Sequence, residues 1–348
     1  MEGARQLRVR TPWHDQTRGT SMLIVDNRWK GEHGIGRFAT EVVSRLTLPW
    51  RPLGGVASHT SPRDILSRQK LRLSSKDVIY SPGYNAGITR ARQLLNVHDL
   101  IHLQIESERS LAKTIYYNTI VRSAIKHAGV VMTDSTASAT AIALWLRSPK
   151  VDIVNVGCGR SKAFVAEGVS ANFDHPTFLY VGNMNKPHKN FRILLEAIAL
   201  RPQYKLLVVT GDFDLATSMV RGAGLDAQVE VRTAVPDDEL ARLYRGASGS
   251  LQPSLLEGFG LPPLEAMSCG TRVAYWSGCE SVSEIVDGTG VAVSSATDAS
   301  EWARAMEELE TMSLTGPLSM PREWDERYSW DTVADKVNAV LSRACEQQ

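Results

Sequence analysis

Cysteine is scarce: Cys158, Cys269, Cys279 and Cys345 form no C-x-x-C pair and have no histidines at metal-ligand spacing. That scarcity excludes a disulfide framework and a zinc site and fits a reducing compartment. Long apolar runs are missing too. No stretch of about 18 apolar residues occurs, and "MEGARQLRVRTPWHDQTRGTS" at the start lacks the apolar core of about 7–15 residues that a secretory signal needs. The expectation is a cytoplasmic protein, neither exported by that route nor membrane-spanning. Low-complexity tracts and short-period repeats are also absent, which excludes solenoids and arrays.

The chain of 348 residues is 43% hydrophobic and 22% charged, enough for two domains with separate cores. Its net charge of +1 conceals an asymmetry. Residues 1–170 carry 24 Lys and Arg against 13 Asp and Glu, and residues 171–348 carry 15 against 25. Either the halves attract each other across a cleft, or the basic half meets an anionic surface or substrate.

From "MLIVD" (22–26) onward, short apolar runs alternate with stretches of helical period. Phe38, Val42 and Leu46 share one helix face, whereas "DVIYSP" (77–82), "QLLNVHDL" (93–100) and "GVVMTDS" (129–135) read as buried strands ending in polar turns. After "GVSANFDHP" (168–176) the pattern restarts, with strands at 177–182, 205–211, 228–232, 249–254 and 272–276 and helices at 191–200 and 237–247, the latter N-capped by an Asp. The reading is α/β: two tandem doubly wound Rossmann-like domains facing across a cleft. Residues 1–20 read as a mobile extension, 21–170 and 171–325 as the two domains, and 326–348 as a helix packing back on the first domain.

Open α/β sheets bind ligands beyond the carboxyl ends of their strands. One such turn is "LEGFGLPPLEAMSCG" (256–270). Pro262 and Pro263 suit the first turn of a helix, where a missing N–H costs nothing. Gly258 and Gly260 then precede a helix N-terminus, whose free amides and dipole favour a phosphate. Glu257 lies before that anion site and Glu265 within the first turn after it. A second turn, "YVGNMNKPHKN" (180–190), offers Lys186, His188 and Lys189, either a solvated basic loop or a clamp for a diphosphate.

In the first domain, "EHGIGRFA" (32–39) holds a G-x-G-x-x-A pattern, but it does not follow its strand directly and no acid stands about 20 residues on, so a dinucleotide site is disfavoured. "NVHDLIHL" (96–103) puts His98 and Asp99 at a strand end, as a structural pair or a reactive one. Asp212 and Asp214 in "GDFD" could hold a divalent cation, though a turn after a strand explains them as well.

Together, "PSLLEGFGLPPLEAMSCGTRV" (253–273), "YVGNMNKPHKN", "GIGRF" (34–38) and "VHDL" (97–100) resemble the family 4 retaining glycosyltransferases of the GT-B fold. Weaker likenesses, among them "VMTDSTAS" (131–138) and "YSWDTVADKV" (328–337), extend the resemblance from Met22 to about Leu341. It implies a nucleotide-diphosphate sugar on the second domain and an acceptor on the first. Lys189 would bind the diphosphate; Glu257, with Gly258, Phe259, Gly260 and Leu261, the transferred sugar and phosphates; and Glu265 the ribose. His98 would touch the donor sugar, and Gly34, Gly36 and Arg37 would lie near the donor phosphate and acceptor. Many relatives place an arginine after the glycine of the second-domain turn, or before its lysine. Here Asn183 and His188 stand there, leaving Lys189 as the main charged ligand and Lys186 as a substitute.

The resemblance further implies hexose transfer with no metal or cofactor and no nucleic acid, GDP-mannose being the favoured donor over dTDP-rhamnose or a UDP-sugar. The acceptor would be a saccharide, free or polyprenyl-diphosphate-linked, in bacterial surface polysaccharide assembly. The basic half would touch anionic lipid at the inner face of the cytoplasmic membrane through "RQKLRLSSK" (68–76) and "IKHAG" (125–129). A non-catalytic sugar-nucleotide-binding subunit is the rival reading.

Overall fold

The computed structural model describes residues 22–31, 34–59 and 61–346; the extension read at 1–20 lies outside the described residues. In the first domain the strands β1 (Leu23–Val25), β2 (Trp50–Pro52), β3 (Val78–Ser81) and β4 (Arg92–Leu95) form a parallel sheet in the order β2-β1-β3-β4. The pair β5 (Val130–Thr133) and β6 (Asp152–Asn155) continues it through a parallel bridge between Asn96 and Met132. β1 and β3 are wholly buried, as expected of parallel strands covered on both faces.

The second domain holds β7 (Thr177–Val181), β8 (Lys205–Val209), β9 (Val229–Arg232), β10 (Gly249–Gln252), β11 (Val273–Trp276) and β12 (Val291–Val293), all parallel, in the order β12-β11-β10-β7-β8-β9. One core, around Phe178, Tyr180, Trp302 and Leu309, covers one face of this sheet; another, around Leu179, Leu207, Tyr244 and Leu264, covers the opposite face, as the alternation of Phe178, Leu179 and Tyr180 along β7 requires. Strand order reverses between β7 and β10, so the loops after those two strands flank the crevice.

Phe164 already belongs to the second-domain core, so the chain enters that domain ahead of residue 171. It returns through Tyr328 to the helix Trp330–Glu346, whose Trp330, Val333, Val337 and Leu341 join Phe38, Val42 and Tyr80 in the first-domain core. Asn338 fastens that helix, accepting from Thr47 N–H at 3.0 Å and donating to the Arg45 carbonyl at 3.0 Å.

Several local expectations need correction. The helix Asp237–Gly246 has Pro236 as its N-cap, and Asp237 is its first helical residue. His98 stands in the loop just beyond β4, at the strand end, as expected. Arg68, read as a lipid contact, is fully buried: it donates to Gln93 Oε1 at 2.8 Å and the Asn85 carbonyl at 3.0 Å, and pairs with Asp26 and Asp64 at 3.4 Å. A guanidinium so enclosed cannot reach a membrane, whereas Lys70, Arg72, Lys76 and Lys126 are exposed.

Candidate functional site

The loop after β10 runs into the helix Leu261–Ser268 through Gly260, whose φ of 119° is open to glycine; a Cβ there would also meet Ile285 and Val282 at 3.3 Å. Pro262 and Pro263 occupy the first turn, where no intrahelical amide bond is lost, and the other leading amides of the helix are left for a ligand. Glu265 lies one turn further in than expected, with no acid in the first turn.

Glu257 is buried and engaged from two sides. Lys189 Nζ donates to its two oxygens at 2.7 and 2.8 Å, and Gln252 Nε2 donates to Oε1 at 2.8 Å. The loop carrying Lys189 is fixed to Glu257's own loop, because Leu255 N–H donates to the His188 carbonyl at 2.7 Å. Its other end is tied down by Asp212, whose Oδ2 accepts from the amides of Met184 at 2.8 Å and Asn185 at 3.2 Å. Asp212 is therefore a loop brace. Asn183 stands exposed, with Oδ1 3.8 Å from the Cβ position of Gly211.

The two domains meet around these groups. Gly258 accepts at its carbonyl from Ser135 Oγ at 2.6 Å, and the single Ser138 hydroxyl is shared between the Gly258 carbonyl at 2.9 Å and the His98 carbonyl at 2.8 Å. Glu108 of the first domain takes Lys186 Nζ at 3.0 Å and His188 Nδ1. Burial pushes the Glu108 carboxyl up, but Lys186 and His188 outweigh it and hold the group below the usual carboxylate range. Leu261 reaches Gly34, with 3.6 Å from its Cδ1 to the glycine's Cβ position. Gly36 lets its helix start hard against the Gly31 carbonyl, which a Cβ would meet at 2.5 Å. Phe259 spans both cores and rests edge-on to Tyr328 at 5.9 Å.

Arg37 crosses the cleft to Asp237 at 2.9 Å and Glu265 at 3.4 Å. Burial pushes the Glu265 carboxyl up to about 8; Arg37 opposes that rise and Asp237 adds to it. Beside Arg37 a cavity of about 700 Å³ opens, lined by Gly31, Thr40, Ala234, Val235 and Asp237 among others.

His98 has a different partner from the one its sequence neighbour suggested. Its Nδ1 meets Asp134, which follows β5, and its Nε2 donates to the Pro82 carbonyl at 2.8 Å. Burial works against the imidazolium, but Asp134 and the Pro82 carbonyl prevail and raise its pKa. Asp99 accepts from Ile101 N–H at 2.9 Å instead.

Lys189, Glu257, Gly258 and the His98 turn thus form one contiguous group, Arg37 and Glu265 a second, and Lys186, His188 and Glu108 a third. Sequence reasoning missed Glu108, Gln252, Asp134, Ser135, Ser138 and Asp237. Only "MTDSTAS", a polar turn after a strand, carried a local signal for three of them.

Residues 175–311 match the family described as glycosyl transferases group 1. An O-antigen chain mannosyltransferase of Salmonella typhimurium is 25% identical over 80% of this chain and 76% of its own. An O-antigen chain mannosyltransferase of Escherichia coli is 37% identical over 32% of this chain and 31% of its own, so that likeness spans less than a third of the relative. Among solved structures, Anabaena HepE in complex with UDP and glucose superposes with a TM-score of 0.68 at 17% identity, covering 93% of this chain and all of that one. The fold is α/β with parallel sheets, and its structural neighbours are GT-B glycosyltransferases.

Proposed function

Starting from a glycosyltransferase of group 1 type, we propose that the chain is a retaining, metal-independent hexosyltransferase that moves mannose from GDP-mannose to a saccharide or lipid-linked saccharide of a bacterial surface polysaccharide. The observation that carries this reading is the bond of Lys189 to Glu257 at the mouth of a glycine-led helix. Cleavage of the bond between sugar C1 and phosphate leaves negative charge on the diphosphate. Lys189 and the leading amides of the 261–268 helix stand ready to receive that charge without reorganising. An ammonium has three donors, so Lys189 can keep one bond to Glu257 and give another to phosphate.

Glu257 then positions the sugar hydroxyls. The nucleoside lies in the cavity beside Arg37, with Glu265 facing the ribose once Arg37 moves aside. His98, held by Asp134 and Pro82, presents a fixed ring edge to the donor sugar. The names of the Salmonella and Escherichia relatives favour mannose. Among the described residues no helix is long and apolar enough to cross a membrane. Contact with anionic lipid, if the acceptor is lipid-linked, falls to Lys70, Arg72, Lys76 and Lys126.

The test is product formation by Glu257→Ala and wild-type protein with GDP-, UDP- and dTDP-sugars and saccharide acceptors. The reading expects transfer from GDP-mannose, lost in the variant. Transfer unchanged in Glu257→Ala refutes the site, and preference for another nucleotide refutes the donor.

A further inference from the structure

The first sheet reverses its strand order between β1 and β3, so its crevice opens at their carboxyl ends. Aromatic rings gather there, Trp29 and Tyr117 buried beneath and Tyr84, His59 and His102 half-buried. Trp29, beyond β1, lies so close over Gly83, beyond β3, that a Cβ on the glycine would stand 2.6 Å from the indole. Ring centroids then follow one another from His59 to Trp29 at 4.6 Å, Trp29 to Tyr84 at 5.4 Å, Tyr84 to Tyr117 at 5.5 Å and Tyr117 to His102 at 4.1 Å. The Nε2 of His102 is buried and has no hydrogen-bond partner among the described residues.

Asp99 stands at the edge of this wall that faces the second domain. With His98 bound to Asp134, it is not engaged in orienting that ring. Its Oδ1 accepts from Ile101 N–H, and its Oδ2 lies 3.1 Å from the Cβ position of Gly258, with no hydrogen bond among the described residues. Its charge reaches the aromatic wall: burial and then Asp99 push up the Tyr84 hydroxyl, and at His102 burial lowers the ring's pKa against the pull of Asp99. The guanidinium groups beside the wall, Arg28 and Arg68, are already held by Asp26 and Asp64. A carboxylate beside aromatic faces, with the nearby guanidinium groups spoken for, suits a polyhydroxylated neutral ring and repels an anionic one.

We propose that Asp99 and the half-buried ring of Tyr84 form the subsite for the accepting sugar, a neutral hexopyranoside whose non-reacting hydroxyls donate to Asp99 Oδ2 while its C–H face stacks on that ring. Ser138, its hydroxyl shared between the His98 and Gly258 carbonyls, sets this subsite against the Glu257 loop, so an acceptor held by Asp99 lies next to the donor sugar. The assignment rests on the glycosyltransferase reading and adds the class of acceptor and the residues that choose it.

The test uses full-length protein, the sugar nucleotide that wild type turns over, and octyl glycosides of mannose, glucose, galactose, rhamnose, N-acetylglucosamine and glucuronic acid. Asp99→Asn keeps the oxygen that Ile101 N–H needs. It is expected to raise the acceptor KM about ten- to a hundredfold, the worth of a hydrogen bond to a charged group, while the donor KM, read by hydrolysis without acceptor, stays within about twofold. Tyr84→Ala is expected to raise the acceptor KM roughly fivefold, with Tyr84→Phe restoring it. An unchanged acceptor KM in Asp99→Asn, equal losses for donor and acceptor, or a preference for the glucuronide overturns the subsite. So does wild type that hydrolyses the donor yet glycosylates none of the neutral glycosides. Failure of wild type to turn over any sugar nucleotide strikes the glycosyltransferase reading instead.

Discussion

The crevices of the two domains are built alike and equipped differently. Each lies where a parallel sheet reverses its strand order, between β1 and β3 in the first domain and between β7 and β10 in the second. The second presents Lys189 and the amide end of a helix that starts at a positive-φ glycine. The first presents the Tyr84 ring and Asp99, its other carboxylates being consumed, Asp134 in holding His98 and Asp26 and Asp64 in holding Arg28 and Arg68. Placement comes from the strand order, and chemistry from a handful of loop residues. A site of amides and lysine suits a departing anion, and a site of a ring and a carboxylate suits a neutral polyol.

That division breaks most readily at Lys189. Lys189→Ala is expected to lower kcat by about 10²- to 10³-fold, the scale for losing one preorganised group that receives developing charge, with little change in acceptor KM; steady-state kinetics with both substrates varied checks it. A loss confined to acceptor KM would reverse the roles assigned to the two crevices. Next is Gly258→Ala. Its Cβ would stand 2.9 Å from that of Asp99 and 3.2 Å from the His98 carbonyl oxygen, neither of which can move without its backbone. Holding the loops apart by even a fraction of an ångström is expected to reduce kcat roughly tenfold or more, while nucleotide binding by calorimetry changes little.

A third expectation concerns pH. The folded-state pKa of Glu265 is about 8 against 4.5 for the free side chain, chiefly through burial. A raised carboxyl pKa means the fold binds a proton that the unfolded chain releases. The resulting stability is complete below pH 4.5 and is lost as pH rises to about 8. Glu265→Gln should flatten that part of the Tm profile, and wild type should show the decline that the variant lacks. The smallest effect is expected at Asp212, where Asn keeps an acceptor for the Met184 and Asn185 amides but loses the charge; a cost of about 1 kcal/mol in urea unfolding is anticipated. A loss of transfer at saturating donor, without a loss of stability, would instead give Asp212 a part in the chemistry.

How far the sequence anticipates all this depends on the range of the interaction. Parallel strands buried on both faces read as apolar runs, and the glycines and prolines at 258–263 mark a helix start by local sterics, so most strands and the 256–263 loop were legible, whereas the short edge strand β2, exposed throughout, and β6 and β12 were not. The segment 101–128 was not. Within it the π-helical turn Tyr117–Val121 joins the helices Leu111–Tyr116 and Arg122–Ala128, and the wider turn shifts the buried face and blurs the apolar period. Partners were harder still. Asp99 adjoins His98 in sequence, yet Asp134 takes the ring, because β4 and β5 run side by side and their ends converge. Glu108 reaches Lys186 and His188 only after two domains have folded and met.

The helix Trp330–Glu346 has a consequence for how the protein is made. The second-domain strands end at Val293 and the core helix Ala299–Ser313 follows at once, so one face of that sheet is covered early, and its other face waits for Trp324 and Tyr328, about 30 residues on. The first domain waits far longer. Its own strands are complete by Asn155, but Phe38, Val42 and Tyr80 find Trp330, Val333 and Leu341 only after a further 170 or so residues have emerged. The half translated first is therefore the one that waits longest, with apolar surface bare, for its covering.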